Sequence, residues 1–457
     1  MKLGFCYKDS FSTVFKFTAF VLIFFLCLYI RNVILSVAML LILIAFEKSF
    51  FIAILLLLPI VETLMVFREG LTITKIFSIL LLIYLVAHII RWKKIHMTKG
   101  LGVIIVFLTW TVVGIFNHIV LFPDGAFSSW NYAQALYEGV IYAVSKIFFA
   151  MLIYIYLMDE TQEELSQIMY FSSKSLTLGL IIVNIYFIFF GYEQFAWWSL
   201  TRVTFLGADP NEFACLLSAL LPFSFWVFFS IEAVFWKIAS LSSVILTIYS
   251  IILTLSRGGL LTLIFTLMVL FFLFLKKGRG KHYLLIFFLS LALVFLTQFI
   301  DISQVQARFS STWIQNSLSK LTARRIDWWM AALEKWLERP IIGWGTSATM
   351  LQEWLNFEKY GIPTVLHSIY VEIILQLGIV GIGLFMLIIM KAIGGIPNIL
   401  KQTSEIRSLH IIIPMISLLS VLFAGLSLSW EWKEFVWFLI SISLAYTDKF
   451  TRVSCEY

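Results

Sequence analysis

The chain reads as long apolar runs separated by short polar loops. A helix needs about 20 apolar residues to cross about 30 Å of hydrocarbon. On that measure the runs predict spans near 13–30, 33–46, 49–66, 74–90, 101–119, 139–158, 175–192, 212–234, 237–255, 259–275, 282–300, 368–390, 409–427 and 432–446. That is about fourteen, or twelve to thirteen if the short second and last runs do not cross. The runs are uniformly apolar rather than alternating, which selects helices over a closed barrel, because lipid offers the backbone no other hydrogen-bonding solution. The expected fold is an all-α polytopic membrane bundle of about 12–14 helices with one large external loop containing amphipathic helices.

The polar loops set the expected orientation. Arg91, Lys93, Lys94 and Lys99 fill one loop, Lys276, Lys277, Arg279 and Lys281 a second, and Lys391, Lys401 and Arg407 a third. Basic loops stay in the cytoplasm. The loop near 120–138 carries Asp124 and Glu138 without Lys or Arg, and an odd number of spans separates it from each basic loop, so it is external. The loop with Asp159, Glu160, Glu163 and Glu164 is an acidic exception inside. The first run, from Phe17 to Ile30, follows Lys2, Lys8 and Lys16 and lacks an A-x-A-like cleavage site, so it reads as an uncleaved first span. The long polar interruption at 301–366 then lies outside, and within it residues 323–339 carry Ile326, Trp329, Met330, Leu333 and Leu337 at helical spacing up to Pro340. This predicts an amphipathic helix lying over the membrane face.

Composition sharpens the class. Apolar residues make up 61% and charged residues 13%, with 45 Phe and 16 Trp, which excludes a soluble domain. The net charge of +7 is spread over membrane loops and gives no reason to expect nucleic acid as a partner. Cys6, Cys27, Cys215 and Cys455 are too scattered for a disulfide framework or a metal motif. No internal repeat is evident, which disfavours transporters built on inverted halves.

Three polar constellations are expected on the external face. In the first, Arg202 precedes Asp209-Pro210-Asn211-Glu212-Phe213-Ala214. Asp209, Pro210 and Glu212 predict a capping box, while Arg202 is either an interfacial anchor or an anion ligand. In the second, Ser256-Arg257-Gly258-Gly259 turns the chain back into the membrane, the glycines permitting a tight reversal. Arg257 beside a helix N-terminus is an auxiliary phosphate site or a snorkelling turn residue. In the third, Arg308, Arg324 and Arg325 precede His367-Ser368-Ile369-Tyr370-Val371-Glu372. His88, His96, His282 and His410 fall on the cytoplasmic side, leaving His118 and His367 outside, and only His367 lies beside arginines. It is either a helix-end histidine or, with an ordinary pKa of about 6.5, a group able to take a proton from a sugar hydroxyl. Lys146, inside a span, needs a partner, for which Glu138 and Glu193 are candidates; a donor contact is the alternative.

Taken in order, these residues resemble the O-antigen ligase and O-antigen polymerase superfamily of bacterial envelope enzymes. The resemblance covers about 200–390. Its marks are Arg202 with Asp209-Pro210-Asn211-Glu212, Ser256-Arg257-Gly258, Arg325-Ile326-Asp327-Trp328-Trp329 followed by Pro340 and Gly343-Trp344-Gly345, and His367 through Tyr370 and Glu372 to Gly378. Ser368, Gln376 and Phe205 depart from the pattern, and Arg324 beside Arg325 leaves the phosphate ligand open, with the spacing to Trp329 favouring Arg325. The resemblance implies three parts: 1–200 as N-terminal transmembrane helices, 201–390 as the catalytic region, and 391–457 as C-terminal transmembrane helices. It implies metal-independent, cofactor-free, inverting glycosyl transfer at the outer face of the cytoplasmic membrane. The donor would be an undecaprenyl-diphosphate-linked oligosaccharide and the acceptor a glycan or lipid, with membrane lipids around both. Arg202 and Arg325 would clamp the diphosphate, with Arg324, Arg257 and Arg308 as further ligands. His367 would act on the acceptor hydroxyl, supported by Asp209, Asn211, Tyr370 and Glu372.

Polymerisation of O-antigen, capsule or exopolysaccharide repeat units is the preferred activity, and it is compatible with a chain-length regulator as a partner. Ligation of a finished glycan to lipid A-core or another acceptor is the alternative. A lipid-linked oligosaccharide flippase would instead carry charges at midplane depth. A cell-wall glycan polymerase of the shape, elongation and division group would depend on an acidic loop residue, here Asp301 or Asp327.

Overall fold

The structure, a computed structural model, describes residues 16–23, 50–62, 82, 83, 86, 90, 98–121, 143–190, 192–197, 200–205, 209–231, 233–277, 325–346, 366–402, 406–428 and 433–451. The expected spans at 33–46 and 282–300, most of those at 13–30 and 74–90, and the loop positions 301–324 and 347–365 lie outside the described residues. The architecture is helical, as the apolar runs predict. Its helices are α1 (Phe51–Glu62), α2 (Lys99–Leu121), α3 (Ser145–Asp159), α4 (Gln162–Phe190), α5 (Pro210–Ser230), α6 (Val234–Leu253), α7 (Arg257–Lys277), α8 (Arg325–Trp336), α9 (Ile369–Ile393), α10 (Ile396–Gln402), α11 (Ile413–Ala424) and α12 (Glu434–Thr451). A 3₁₀ segment, Ile406–Ile412, leads into α11. Among the described residues six helices are long and apolar enough to cross a membrane, which makes this a multi-pass membrane protein.

One small feature is added to the expected all-helical plan. Between α4 and α5 the chain forms an antiparallel hairpin of β1 (Tyr192–Trp197) and β2 (Leu200–Phe205), in a register that sets Phe195 opposite Arg202. β2 packs against the start of α5.

α5 is the hub. Nearly all of it is buried, and it contacts α4, α6, α7, α11 and the 3₁₀ segment. At Gly259 of α7 a Cβ would lie 2.3 Å from the Ala214 Cβ of α5, so the glycine permits close helix approach there. The bundle has two well-defined ends. At one, Thr98 bonds Tyr154 (2.5 Å), Tyr154 bonds Asp448 (2.5 Å), Thr447 bonds the Ala392 carbonyl (2.7 Å), and His410 meets Ser166 (2.7 Å) and the Trp226 ring. At the other lie Asp209, Arg257, Ile369, Gly425 and Lys433: the Ile369 N–H donates to the Gly425 carbonyl (2.9 Å), and Lys433 pairs with Glu212 (3.4 Å).

Several local expectations change. The helix expected from 175 begins at Gln162, because Thr161 and Glu164 make a reciprocal capping box, Thr161 N to Glu164 Oε2 (2.8 Å) and Glu164 N to Thr161 Oγ1 (3.2 Å). The acidic loop is therefore largely a helix start, where carboxylates favour the positive dipole end. Lys174, inside the same helix, is fully buried, with its ammonium 4.5 Å from the Tyr170 ring centroid and 4.6 Å from that of Trp236. Lys146 forms an ion pair with Glu434, the first residue of α12 and a partner not considered from sequence.

Candidate active site

The site is built where α5, α7, α8 and α9 begin. Asp209 caps α5 by accepting from the Asn211 N–H (2.6 Å), with Pro210 at the first helical position as expected. The expected capping box is not completed, since Glu212 reaches across to Lys433. Asn211 Oδ1 accepts from the Ser256 hydroxyl (2.8 Å), and the same hydroxyl accepts from the Gly259 N–H (3.0 Å). Ser256 is thus the cap of α7 and a tie between the starts of α5 and α7.

The reversal before α7 also differs from expectation. The left-handed residue is Leu255 (φ 49), while Gly258 and Gly259 are already helical and serve close packing. Among the described residues the only other non-glycine with positive φ is His367 (φ 55). Both therefore sit at this one site. Backbone held in a sparsely populated region for a non-glycine residue points to a functional constraint.

Arg325 opens α8, and its guanidinium is held below its ordinary pKa by burial and then by the Arg257 charge, with Asp209 acting in the opposite sense. Burial first and Arg325 second push His367 down to about 4, again opposed by Asp209. Arg325 hence lies in the field of Arg257 and Asp209, and His367 in that of Arg325 and Asp209, although they come from separate stretches of the chain. His367 is neutral at physiological pH. Its ring faces Trp328 at 6.2 Å between centroids, and the neighbouring Trp329 donates its indole N–H to the Leu366 carbonyl (2.8 Å). The α8 helix is thereby tied to the strand of chain that carries the histidine.

A second tie is the least expected feature. The α9 helix is broken at Gly378 (φ 66, ψ −168), which frees carbonyls one turn earlier. Segment 340–346 fills the gap: Trp344 N donates to Leu375 O (2.9 Å), Gly345 N to Gln376 O (2.8 Å), and Ile379 N to Pro340 O (2.8 Å). The α2 helix closes the other side, through the Trp110 indole to Leu377 O (2.9 Å) and the Asn117 amide to Gly343 O (3.0 Å). Behind this strap Ala332, Trp344, Leu366 and Leu375 form a small apolar core. The buried face of α8 accordingly runs through Ala331 and Ala332, while Met330 and Leu337, expected among its apolar stripe, are exposed.

The remaining predicted site residues separate. Arg202 lies in β2, at the same end of the bundle, and only its backbone is described. Arg308 and Arg324 lie outside the described residues. Tyr370 turns away, its hydroxyl bonded to the Leu422 carbonyl of α11 (2.8 Å), whereas Glu372 is wholly buried one turn into α9. Sequence reasoning missed the Ser256 tie and the strap; serine one residue before a helix start was the readable sign of the first.

Residues 241–386 match the O-antigen ligase family. The match supports membership of the O-antigen ligase superfamily, as the ordered motifs implied, and no curated protein matches the chain. The matched stretch takes in most of α6, all of α7 and α8 and most of α9, and with them Ser256, Arg257, Arg325, His367, Tyr370 and Glu372, while Arg202, Asp209 and Asn211 precede it. The match, over about a third of the chain, supports a glycosyl-transferring enzyme of ligase or polymerase type, a class that acts on a lipid-linked glycan and an acceptor.

Proposed function

We propose that this protein is an inverting, metal-independent glycosyltransferase that polymerises glycan repeat units carried on undecaprenyl diphosphate at the outer face of the cytoplasmic membrane. The observation that carries the reading is the meeting of Arg325 and Asp209 beside a neutral His367, with Arg257 beside Arg325, at one end of a membrane bundle. Helices leading to the basic loops, α7 at Lys277 and α9 toward Lys391, end at the opposite end, which under the positive-inside rule supports an external site. Within this proposal, residues 201–390 are the catalytic region.

The chemistry needs four events. Guanidinium groups of Arg325 and Arg257, with Arg202 from the adjacent hairpin, hold the donor diphosphate. The acceptor hydroxyl oxygen attacks the anomeric carbon from the face opposite the diphosphate. The bond from that carbon to the diphosphate oxygen breaks, its electron pair leaving with the diphosphate, and the fixed positive charge stabilises what departs. The hydroxyl proton passes to the unprotonated ring nitrogen of His367. Ligation of a completed glycan to lipid A-core or another acceptor uses the same steps, and the family's description as O-antigen ligase favours keeping it as the second reading.

The test is glycan profiling of cells lacking the protein, complemented with wild type, His367→Ala, Arg202→Ala or Arg325→Ala, with lipid-linked intermediates resolved by mass spectrometry. Single repeat units accumulating on the carrier are the expected result. Long chains stranded on the carrier mean ligase, and normal chain lengths in all three variants remove the assigned residues from the chemistry.

A further inference from the structure

Segment 340–346 leaves helical geometry beside helices that cross the membrane, so its polarity is informative. Non-helical backbone survives at hydrocarbon depth only where its polar groups are satisfied within the protein. Here they turn inward: Pro340 O accepts from Ile379 N and from the Trp336 indole (3.0 Å), Gly343 N donates to Arg339 O (3.0 Å), and Trp344 N, Gly345 N and Gly343 O are bonded to α9 and α2. The side chains turn the other way. Ile341 is 62% exposed and Ile342 40%, beside Ile379 of α9 at 51%. A loop bathed in water has the reverse arrangement.

The surroundings say what covers these isoleucines. Asn117, which holds Gly343, closes the apolar Lys99–Asn117 span, and a Cβ on Gly114 within that span would touch Thr346 Cγ2 at 3.2 Å. On the same helix Val113, Phe116 and Val120 are exposed, as expected of a lipid-facing stripe, and Ile379 begins the second half of the membrane helix α9. The polar limit is equally clear. Glu334 and Glu338 are exposed one to two turns before Ile341, Lys335 pairs with Glu338 (2.8 Å), and Lys335 and Arg339 lie over the Trp344 ring (4.4 and 4.8 Å). Cations whose apolar stems reach over a buried ring, as Lys335 and Arg339 do over Trp344, are what the headgroup layer selects.

We propose that turn 337–342 is a membrane wedge: Ile341 and Ile342 sit among the acyl chains of the leaflet on the active-site side, continuous with the lipid faces of α2 and α9, and the water boundary falls between Glu338 and Ile341. The partner is the bilayer itself. The wedge fixes the height of α8 relative to the membrane, and, where the proposed function holds, places Arg325 at the level of a lipid-borne diphosphate.

The test does not depend on catalysis. Nitroxide labels are placed at Glu334→Cys, Glu338→Cys, Ile341→Cys and Ile342→Cys in the full chain with Cys6, Cys27, Cys215 and Cys455 replaced, reconstituted in phosphatidylethanolamine/phosphatidylglycerol nanodiscs. Collision with oxygen, which partitions into lipid, is compared with collision with a water-soluble nickel chelate. Oxygen-dominated relaxation at 341 and 342, nickel-dominated relaxation at 334 and an intermediate value at 338 are expected. Nickel access at 341 and 342 equal to that at 334 would overturn the wedge in favour of a hydrated loop. Low access to both reagents would overturn it in favour of protein cover, such as a second copy. A diazirine side chain at position 342 in the native-cysteine protein gives a second reading: phospholipid adducts support the wedge, and adducts confined to protein refute it.

Discussion

Gly378→Ala tests whether the broken helix holds the site together. Its φ of 66 and ψ of −168 lie in a region essentially reserved for glycine, where an alanine costs about 1–3 kcal/mol. The added Cβ would stand 2.1 Å from Ile341 O and 2.4 Å from Ile341 C, both backbone atoms, so the strap must retreat by about an ångström. Retreat breaks or weakens the bonds from Ile379 N to Pro340 O, from Trp344 N to Leu375 O and from Gly345 N to Gln376 O. Each is worth about 1 kcal/mol net, and more where a buried group is left unpaired. The total reaches about 4–6 kcal/mol, at the severe end for one substitution. Gly383→Ala, five residues further along the same helix, is the control: nothing lies within 4 Å of its Cβ, and helix propensity favours alanine by about 0.5–1 kcal/mol. The assay is apparent Tm by thermal scan and limited proteolysis in nanodiscs, run at one scan rate because membrane proteins unfold irreversibly. Gly378→Ala is expected to melt far below wild type and to lose glycan transfer, since the strap also anchors the helix carrying Arg325. A Gly378→Ala protein melting within about 2–3 °C of Gly383→Ala would refute the strap as a structural tie.

Three further outcomes are expected. Ser256→Ala removes the α7 cap and its bond to Asn211 and should destabilise by about 1–2 kcal/mol, whereas Ser256→Thr keeps most of both; equal melting of the two variants would contradict the tie. Lys146→Met and Glu434→Gln should each lower stability by about 1–3 kcal/mol, because both side chains are mostly buried, at 12% and 13% exposure, and the double variant should recover part of the loss; additive losses would show the pair is uncoupled. His367 binds no proton until the pH falls to about 4, while in the unfolded chain it binds one near 6.5. Its contribution to stability is therefore full above about 6.5 and is lost as pH falls toward 4, and kcat/KM should stay flat through pH 8 to 5; a midpoint near 6.5 in kcat/KM would show that His367 is neither buried nor beside Arg325.

How much was legible in sequence follows from the range of the forces involved. The six described spans were readable because about twenty apolar residues in a row have few other fates, and the start of α5 was readable because Asp209 and Pro210 act within one turn. The start of α4 was readable too, from Thr161 and Glu164, but the apolar run beginning later outweighed it. Long-range pairings left no such mark. Nothing local to Lys146 names Glu434, and nothing local to Gly378 announces that a segment more than thirty residues earlier in the chain will fill the gap it opens. The Ser256 turn shows the limit most clearly: two glycines suggested where the chain reverses, yet Leu255 takes the left-handed conformation and the glycines instead let α7 approach Ala214 and Ser427. Which residues to propose for the site could be read from their order, whereas the field that Arg325, Arg257 and Asp209 set up there required the fold.

Those electrostatics have a consequence for the order of events under the proposed reaction. Among the protein's own groups, the Arg325 cation is disfavoured by burial and by Arg257, and His367 is disfavoured as a cation by burial and by Arg325; Asp209 is the counterweight to both. A histidine held at about 4 is neutral but binds a proton weakly. A diphosphate placed on Arg325 and Arg257 adds negative charge beside both groups. It favours the Arg325 cation, and by offsetting the guanidinium it raises the proton affinity of His367 toward its ordinary value. Donor binding and base strength therefore move together, and the histidine becomes an effective proton acceptor only once the leaving group is in place. The pH dependence of kcat, which reports the donor-bound enzyme, should accordingly lie above that of kcat/KM, which reports the free enzyme. Coincident profiles would mean that the arginines and the histidine act without this coupling.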